Sequence, residues 1–105
     1  MTRVLFAAAE AAPFYKTGGL GDVSMALPRA LQAEGIETRV VIPYYPHQMP
    51  TEYQQQLVPV THFTVQVGEH AMYCGIKTLT VAHVQYYLID NLDYFGREGL
   101  YGCLL

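Results

Sequence analysis

An apolar run, a glycine-rich loop and a helix-like stretch follow one another at the start of this chain. That order limits its folds more than any other feature. The run Val4-Leu5-Phe6-Ala7-Ala8-Ala9 is apolar without alternation, so Arg3 to Ala9 reads as a parallel strand buried on both faces. Residues 10–21 read as a loop, because Pro13 and three glycines oppose a regular element there. Asp22 to Glu34 is helical in pattern: Val23, Ala26, Leu27, Ala30 and Leu31 fall on one face at spacings of three and four, the face expected to enter the core. Pro28 inside that pattern predicts a kink, or a short turn with a new helix starting near it. Gly35 is a helix stop.

Further on, Glu37 to Ile42 reads as a second strand ended by Pro43. Tyr44, Tyr45, Pro46 and Pro50 mark an extended loop with no period. Val58-x-Val60 and Phe63-x-Val65-x-Val67 alternate as a half-buried strand does. Gly68-Glu69-His70 is a hairpin turn into Ala71 to Leu79, and Val81 to Ile89 is another strand. Residues 90–102 are rich in turn formers, with Asp90-Asn91-Leu92-Asp93 a polar turn that lacks D-x-D metal spacing. The fold class is therefore α/β, with about five strands and one or two helices. A parallel sheet needs helices on both faces, so residues 1–105 are expected to be an incomplete domain whose remaining helices lie beyond Leu105.

Charge and cysteine usage exclude several functions. The net charge is −3 with no basic run, which argues against nucleic acid as the main partner. The apolar runs are too short for a membrane span or a signal-peptide core. Cys74 and Cys103 show no metal or redox spacing, so reduced thiols and a cytoplasmic location are expected. His47, His62, His70 and His83 have no ligand spacing either, and neither a metal nor a cofactor is expected. Only 14% of residues are charged, well below the usual ~25%, which suits strands buried on both faces or a surface that meets more protein.

The chemistry concentrates in Lys16-Thr17-Gly18-Gly19-Leu20-Gly21-Asp22-Val23. A strand, a glycine loop and a helix start aim backbone N–H groups at a phosphate, and a lysine at the loop mouth meets a diphosphate as a point charge. A Walker A loop has its lysine after the glycines; here Lys16 precedes them. A dinucleotide fingerprint fails because Ser24 stands at its last glycine and Ile42-Pro43-Tyr44 replaces the acid after strand 2, which weighs against a dinucleotide-dependent oxidoreductase. The bland alternative is a loop that only turns the chain. Glu10 has its own pair of readings, a functional acid or a strand-end carboxylate that caps backbone N–H groups.

Glu10, the Lys16–Val23 segment and Ala26-Leu27-Pro28 resemble the N-terminus of bacterial glycogen synthases and plant starch synthases. Tyr87-Leu88-Ile89-Asp90-Asn91 and the following segment from Tyr94 to Gly102 are similar to the same family and stand in family order. The resemblance implies the N-terminal part of a GT-B glycosyltransferase fold, two Rossmann-like domains facing a cleft. It implies transfer of glucose from ADP-glucose to the non-reducing end of an α-1,4-glucan with retention, without a metal. By the same resemblance, Glu10 is a catalytic-cleft acid, Lys16, Gly18 and Gly19 meet the donor phosphates, and Tyr101 lies near the sugar. Thr17 and Asp22 belong to the motif as site residues or as structural ones.

The family's C-terminal domain, which carries most nucleotide contacts and a paired-glutamate motif, has no counterpart in residues 1–105. One wall cannot enclose a donor, so this chain alone is expected to be inactive and to aggregate through uncovered apolar surface. The competing, non-enzymatic reading is an orphan fragment left by a frameshift or premature stop.

Overall fold

The computed structural model describes residues 2–91 and forms one five-stranded mixed sheet with two helices. In chain order these are β1 (Arg3–Ala7), α1 (Gly19–Ala33), β2 (Glu37–Pro43), α2 (Thr51–Gln54), β3 (Val58–Val67), β4 (His70–Val81) and β5 (Val84–Asp90). The strand order is β1-β2-β5-β4-β3. β1, β2 and β5 run parallel, and β4 and β3 add an antiparallel edge. The carboxyl ends of the three parallel strands therefore lie together, and the loop at residues 8–18 leaves from the first of them.

One face of the sheet is the core. Thr38, Val40, Ile42, Val84, Tyr86, Leu88 and Leu79 are buried on it, in register through Val40 opposite Tyr86 and Ile42 opposite Leu88. Helix α1 packs over β2 and β5, and Phe14 from the loop closes on Tyr86 with ring centroids 4.8 Å apart. The opposite face carries Leu5, Phe63, Val65 and Val67, which are 40–66% exposed.

Several expectations change. β1 ends at Ala7 and is an edge strand, with Leu5 66% exposed rather than buried, because it lies on the sheet face away from α1, beside exposed Arg39. Helix α1 begins at Gly19, inside the stretch read as loop, since glycine is tolerated in a first turn where few bonds are yet at stake. It also runs unbroken through Pro28; the fully buried pyrrolidine ring sets packing against the ~3 kcal/mol that a mid-helix proline costs. The buried face of α1 is Gly21, Ser24 and Pro28, while Val23 and Leu27 are 53% and 43% exposed. Small residues let this helix sit close, so its large apolar stripe faces outward. β3 is exposed along its whole length rather than half-buried, and a bulge between Pro59 and Thr61 keeps Val58 on the same face as Phe63 and Val65. β4 runs on to Val81, and a tight turn at Ala82-His83, both at positive φ, joins it to β5. Helix α2 had no periodic signal. Gly35, at φ 84°, ends α1 as expected, and the turn at Gly68-Glu69 joins β3 to β4.

Candidate functional site

The loop after β1 has a buried base and an exposed tip. Ala11, Phe14 and Tyr15 are buried, whereas Lys16, Thr17, Gly18 and Gly19 are exposed. Aromatic contacts hold the base. Phe14 meets Tyr53 edge-to-face at 5.0 Å and Tyr15 meets Tyr45 at 5.1 Å. The Tyr15 hydroxyl donates to the Pro43 carbonyl at the end of β2. The N–H groups of Phe14 and Tyr15 both donate to the Ala11 carbonyl, and the Ala12 N–H donates to the Gly21 carbonyl at 3.0 Å. The loop is thus fastened to β2, to β5 and to the start of α1.

Burial raises the pKa values of Tyr15, Tyr44, Tyr45 and Tyr86 above the ordinary tyrosine value. For Tyr45 the Glu10 carboxylate adds to that rise, and for Tyr44 the Asp90 carboxylate does. These hydroxyls stay protonated around neutrality. Sequence reasoning gave no role to Phe14, Tyr15 or Tyr45; the only signal was a run of apolar and aromatic letters inside a loop.

Each predicted site residue in the described region has a definite place. Glu10 is 1% exposed. It accepts the Thr17 N–H at 2.6 Å and the Thr17 hydroxyl at 2.8 Å. Lys16 and Asp22 form an ion pair at 2.9 Å with both side chains about half exposed. Such a pair contributes only ~0–1 kcal/mol, so the ammonium is free to change partner. Gly18 is the N-cap of α1 and supplies no side-chain cap; its carbonyl accepts the Gly21 N–H at 3.1 Å, and the N–H groups ahead of Gly21 are those that an incoming acceptor can meet. Tyr101 and Tyr94 lie outside the described residues.

The three glycines differ. A Cβ on Gly18 or Gly19 would meet nothing within 4 Å. At Gly21 it would run into the Lys16 Cβ and come within 2.8 Å of Glu10 Oε2. Nothing inside the described residues obliges Gly18 and Gly19 to be bare, and bare backbone there suits close approach by a ligand. A separate cleft of 350 Å³ lies along Ala7, Ala8, Ala9, Val41 and Pro43. It is lined almost wholly by apolar groups and by none of the predicted site residues.

Comparison with known proteins gives a consistent picture. Residues 3–103 match the family model described as the starch synthase catalytic domain. A glycogen synthase of Lacticaseibacillus casei is 52% identical over 102 residues, which cover 97% of this chain and 21% of that protein. A glycogen synthase of Lactobacillus acidophilus is 50% identical over 100 residues, again 21% of its length. The chain thus spans about a fifth of the length of the curated relatives it matches. Among solved structures, the catalytic domain of starch synthase IV from Arabidopsis thaliana, bound to ADP and acarbose, superposes with a TM-score of 0.80. The two are 29% identical, over 96% of this chain and 21% of that one.

Proposed function

Because the chain belongs to the starch synthase catalytic domain family, with the α/β fold of the first part of its GT-B architecture, we propose that it forms one wall of a glucan synthase cleft. The reaction is transfer of glucose from ADP-glucose to the non-reducing end of an α-1,4-glucan, with retention, in glycogen or starch synthesis. The observation that carries this reading is the contrast among the glycines: Gly18 and Gly19 are bare without an internal steric cause, two and three residues from an exposed Lys16. When the glycosidic bond to the donor breaks, charge grows on the departing diphosphate. An ammonium and oriented helix N–H groups stabilise that charge where it develops. The Lys16–Asp22 pair holds the ammonium near the tip until a diphosphate replaces the carboxylate. ADP in the Arabidopsis structure and the names of the bacterial relatives support an adenine-nucleotide donor and a glucan acceptor. Tyr101 is assigned to the sugar side by family resemblance. A single wall does not exclude water from a donor, so residues 1–105 alone are expected to be inactive.

The test is a hybrid in which this chain replaces the matching fifth of the Lacticaseibacillus casei glycogen synthase. Glucose incorporation into glycogen from ADP-glucose is expected, and UDP-glucose in parallel reads the base preference. Lys16→Ala in the hybrid should raise the donor KM and lower kcat by roughly tenfold or more. Unchanged kinetics would remove Lys16 from the site.

A further inference from the structure

Glu10 is a nearly fully buried carboxylate in a chain with few charges, and two hydrogen bonds tie it to the loop. Its Oε2 accepts the Thr17 N–H at 2.6 Å and its Oε1 accepts the Thr17 hydroxyl at 2.8 Å. Both are charge-assisted bonds, about twice as strong as neutral ones. The start of α1 closes on the same carboxylate. The Gly21 carbonyl accepts the Ala12 N–H, and only a residue without Cβ leaves room there for Glu10 Oε2 and Lys16. Tyr45 is a neighbouring titratable group, with its hydroxyl kept neutral by burial and by this carboxylate.

We propose that Glu10 is a positioning residue: it clasps Thr17 so that Lys16, Gly18 and Gly19 are presented as a fixed tip, and Gly21 supplies the space the clasp needs. Glu10 then acts through the loop and not on the sugar. Its consequence for catalysis rests on the donor-site reading above; the clasp itself does not.

Glutamine separates the two roles. At position 10 its Oε1 can accept the Thr17 N–H while its Nε2 donates to the Thr17 hydroxyl, which accepts as readily as it donates. A clasp therefore survives Glu10→Gln, whereas a proton-transferring or charge-stabilising acid does not. In the hybrid synthase, hydrogen exchange of the peptide spanning Glu10 to Asp22 is measured beside the donor KM, kcat and the pH profile of kcat. Glu10→Gln should stay within about threefold of the parent in exchange and in donor KM. Glu10→Ala and Gly21→Ala should speed exchange at the Thr17 amide about tenfold or more and raise the donor KM more than they lower kcat, with the pH profile unmoved. Thr17→Val keeps the carboxylate and its N–H bond and deletes only the hydroxyl arm. It should speed exchange about threefold, which covers the case in which Glu10→Ala does not fold. Exchange equal to the parent in the Thr17→Val and Glu10→Ala variants overturns the clasp. Glu10→Gln as inactive as Glu10→Ala, with protected exchange, overturns it in favour of a catalytic acid. A hybrid with no activity on ADP-glucose defeats the donor-site reading, and the exchange data still decide the clasp.

Discussion

Gly19 and Gly21 both belong to the first turn of α1 and face opposite constraints. A side chain on Gly19 meets open space, and alanine is the better helix former. Gly19→Ala should leave the urea unfolding midpoint unchanged, or raise stability by up to ~1 kcal/mol, while weakening donor use in the hybrid synthase. Gly21→Ala forces a methyl against Lys16 and Glu10 and should cost ~1–3 kcal/mol by overpacking. Equal effects of the two substitutions on stability would sink the distinction. The motif from Lys16 to Val23 was legible in the sequence because lysine, paired glycines and a helix start coincide. The difference between its glycines was not, since it depends on distances to Glu10 and Lys16 that spelling does not carry. For Glu10 the sequence left two readings open, and the bonds to Thr17 are of the capping kind. Phe14 and Tyr15 were illegible as anchors because what buries them, Tyr86, Tyr53 and Tyr45, lies far along the chain.

Helix α1 shows how an apolar period misleads when a helix packs closely. Its stop at Gly35 was legible, but its start at Gly19, its continuity through Pro28 and its orientation were not: the buried face is Gly21, Ser24 and Pro28, and the Val23–Leu27 stripe points away. Large apolar residues signal burial somewhere, and small ones signal close approach; only the second applies between α1 and the sheet. Two substitutions test this orientation by urea unfolding. Leu27→Glu should change the stability of this chain by no more than ~0.5 kcal/mol, as an exposed position does. Ser24→Leu should cost ~1–3 kcal/mol or more, because position 24 is fully buried against the sheet. The opposite ranking would mean that the helix is turned the other way. The hairpin between β4 and β5 escaped prediction for a related reason. Ala82 and His83 adopt positive φ without the Asn or Gly that normally marks such a turn. There the pairing of β4 with β5 fixes the turn, through Val81 opposite Val84 and onward to Gly75 opposite Asp90.

At the scale of the whole molecule, buried tyrosines and uncovered apolar surface set how the chain responds to its surroundings. Tyr15, Tyr44, Tyr45 and Tyr86 all have folded-state pKa values above 10.0, the unfolded value. Above that pH the unfolded chain releases protons that the folded chain keeps. Their contribution to stability is therefore complete below pH 10 and is lost as pH rises from 10 through the folded values. Tyr15 alone should give a slope of about −1.4 kcal/mol per pH unit in that window. Unfolding midpoints measured from pH 8 to 11 should fall steeply above 10, and less steeply in Tyr15→Phe; a flat profile would contradict the burial of these hydroxyls. The apolar surface acts at every pH. Leu20, Val23 and Leu27 on α1 and Leu5, Phe63, Val65 and Val67 on the second sheet face are each 40–66% exposed. Surfaces of this extent are uncommon on monomeric soluble proteins, and the 10-residue edge strand β3 adds unpaired backbone groups to them. Residues 1–105 in isolation should bind a hydrophobic dye and sediment as oligomers at micromolar concentration. Charged substitutions at Phe63 and Val65 should shift the distribution toward monomer, because they place charge on both the open face and the edge strand. The same substitutions in the hybrid synthase should be destabilising if the remaining four-fifths of the relatives' length packs against this face. A monodisperse, dye-negative monomer at the start would show that these side chains are covered within residues 1–105 and would remove the need for any such packing.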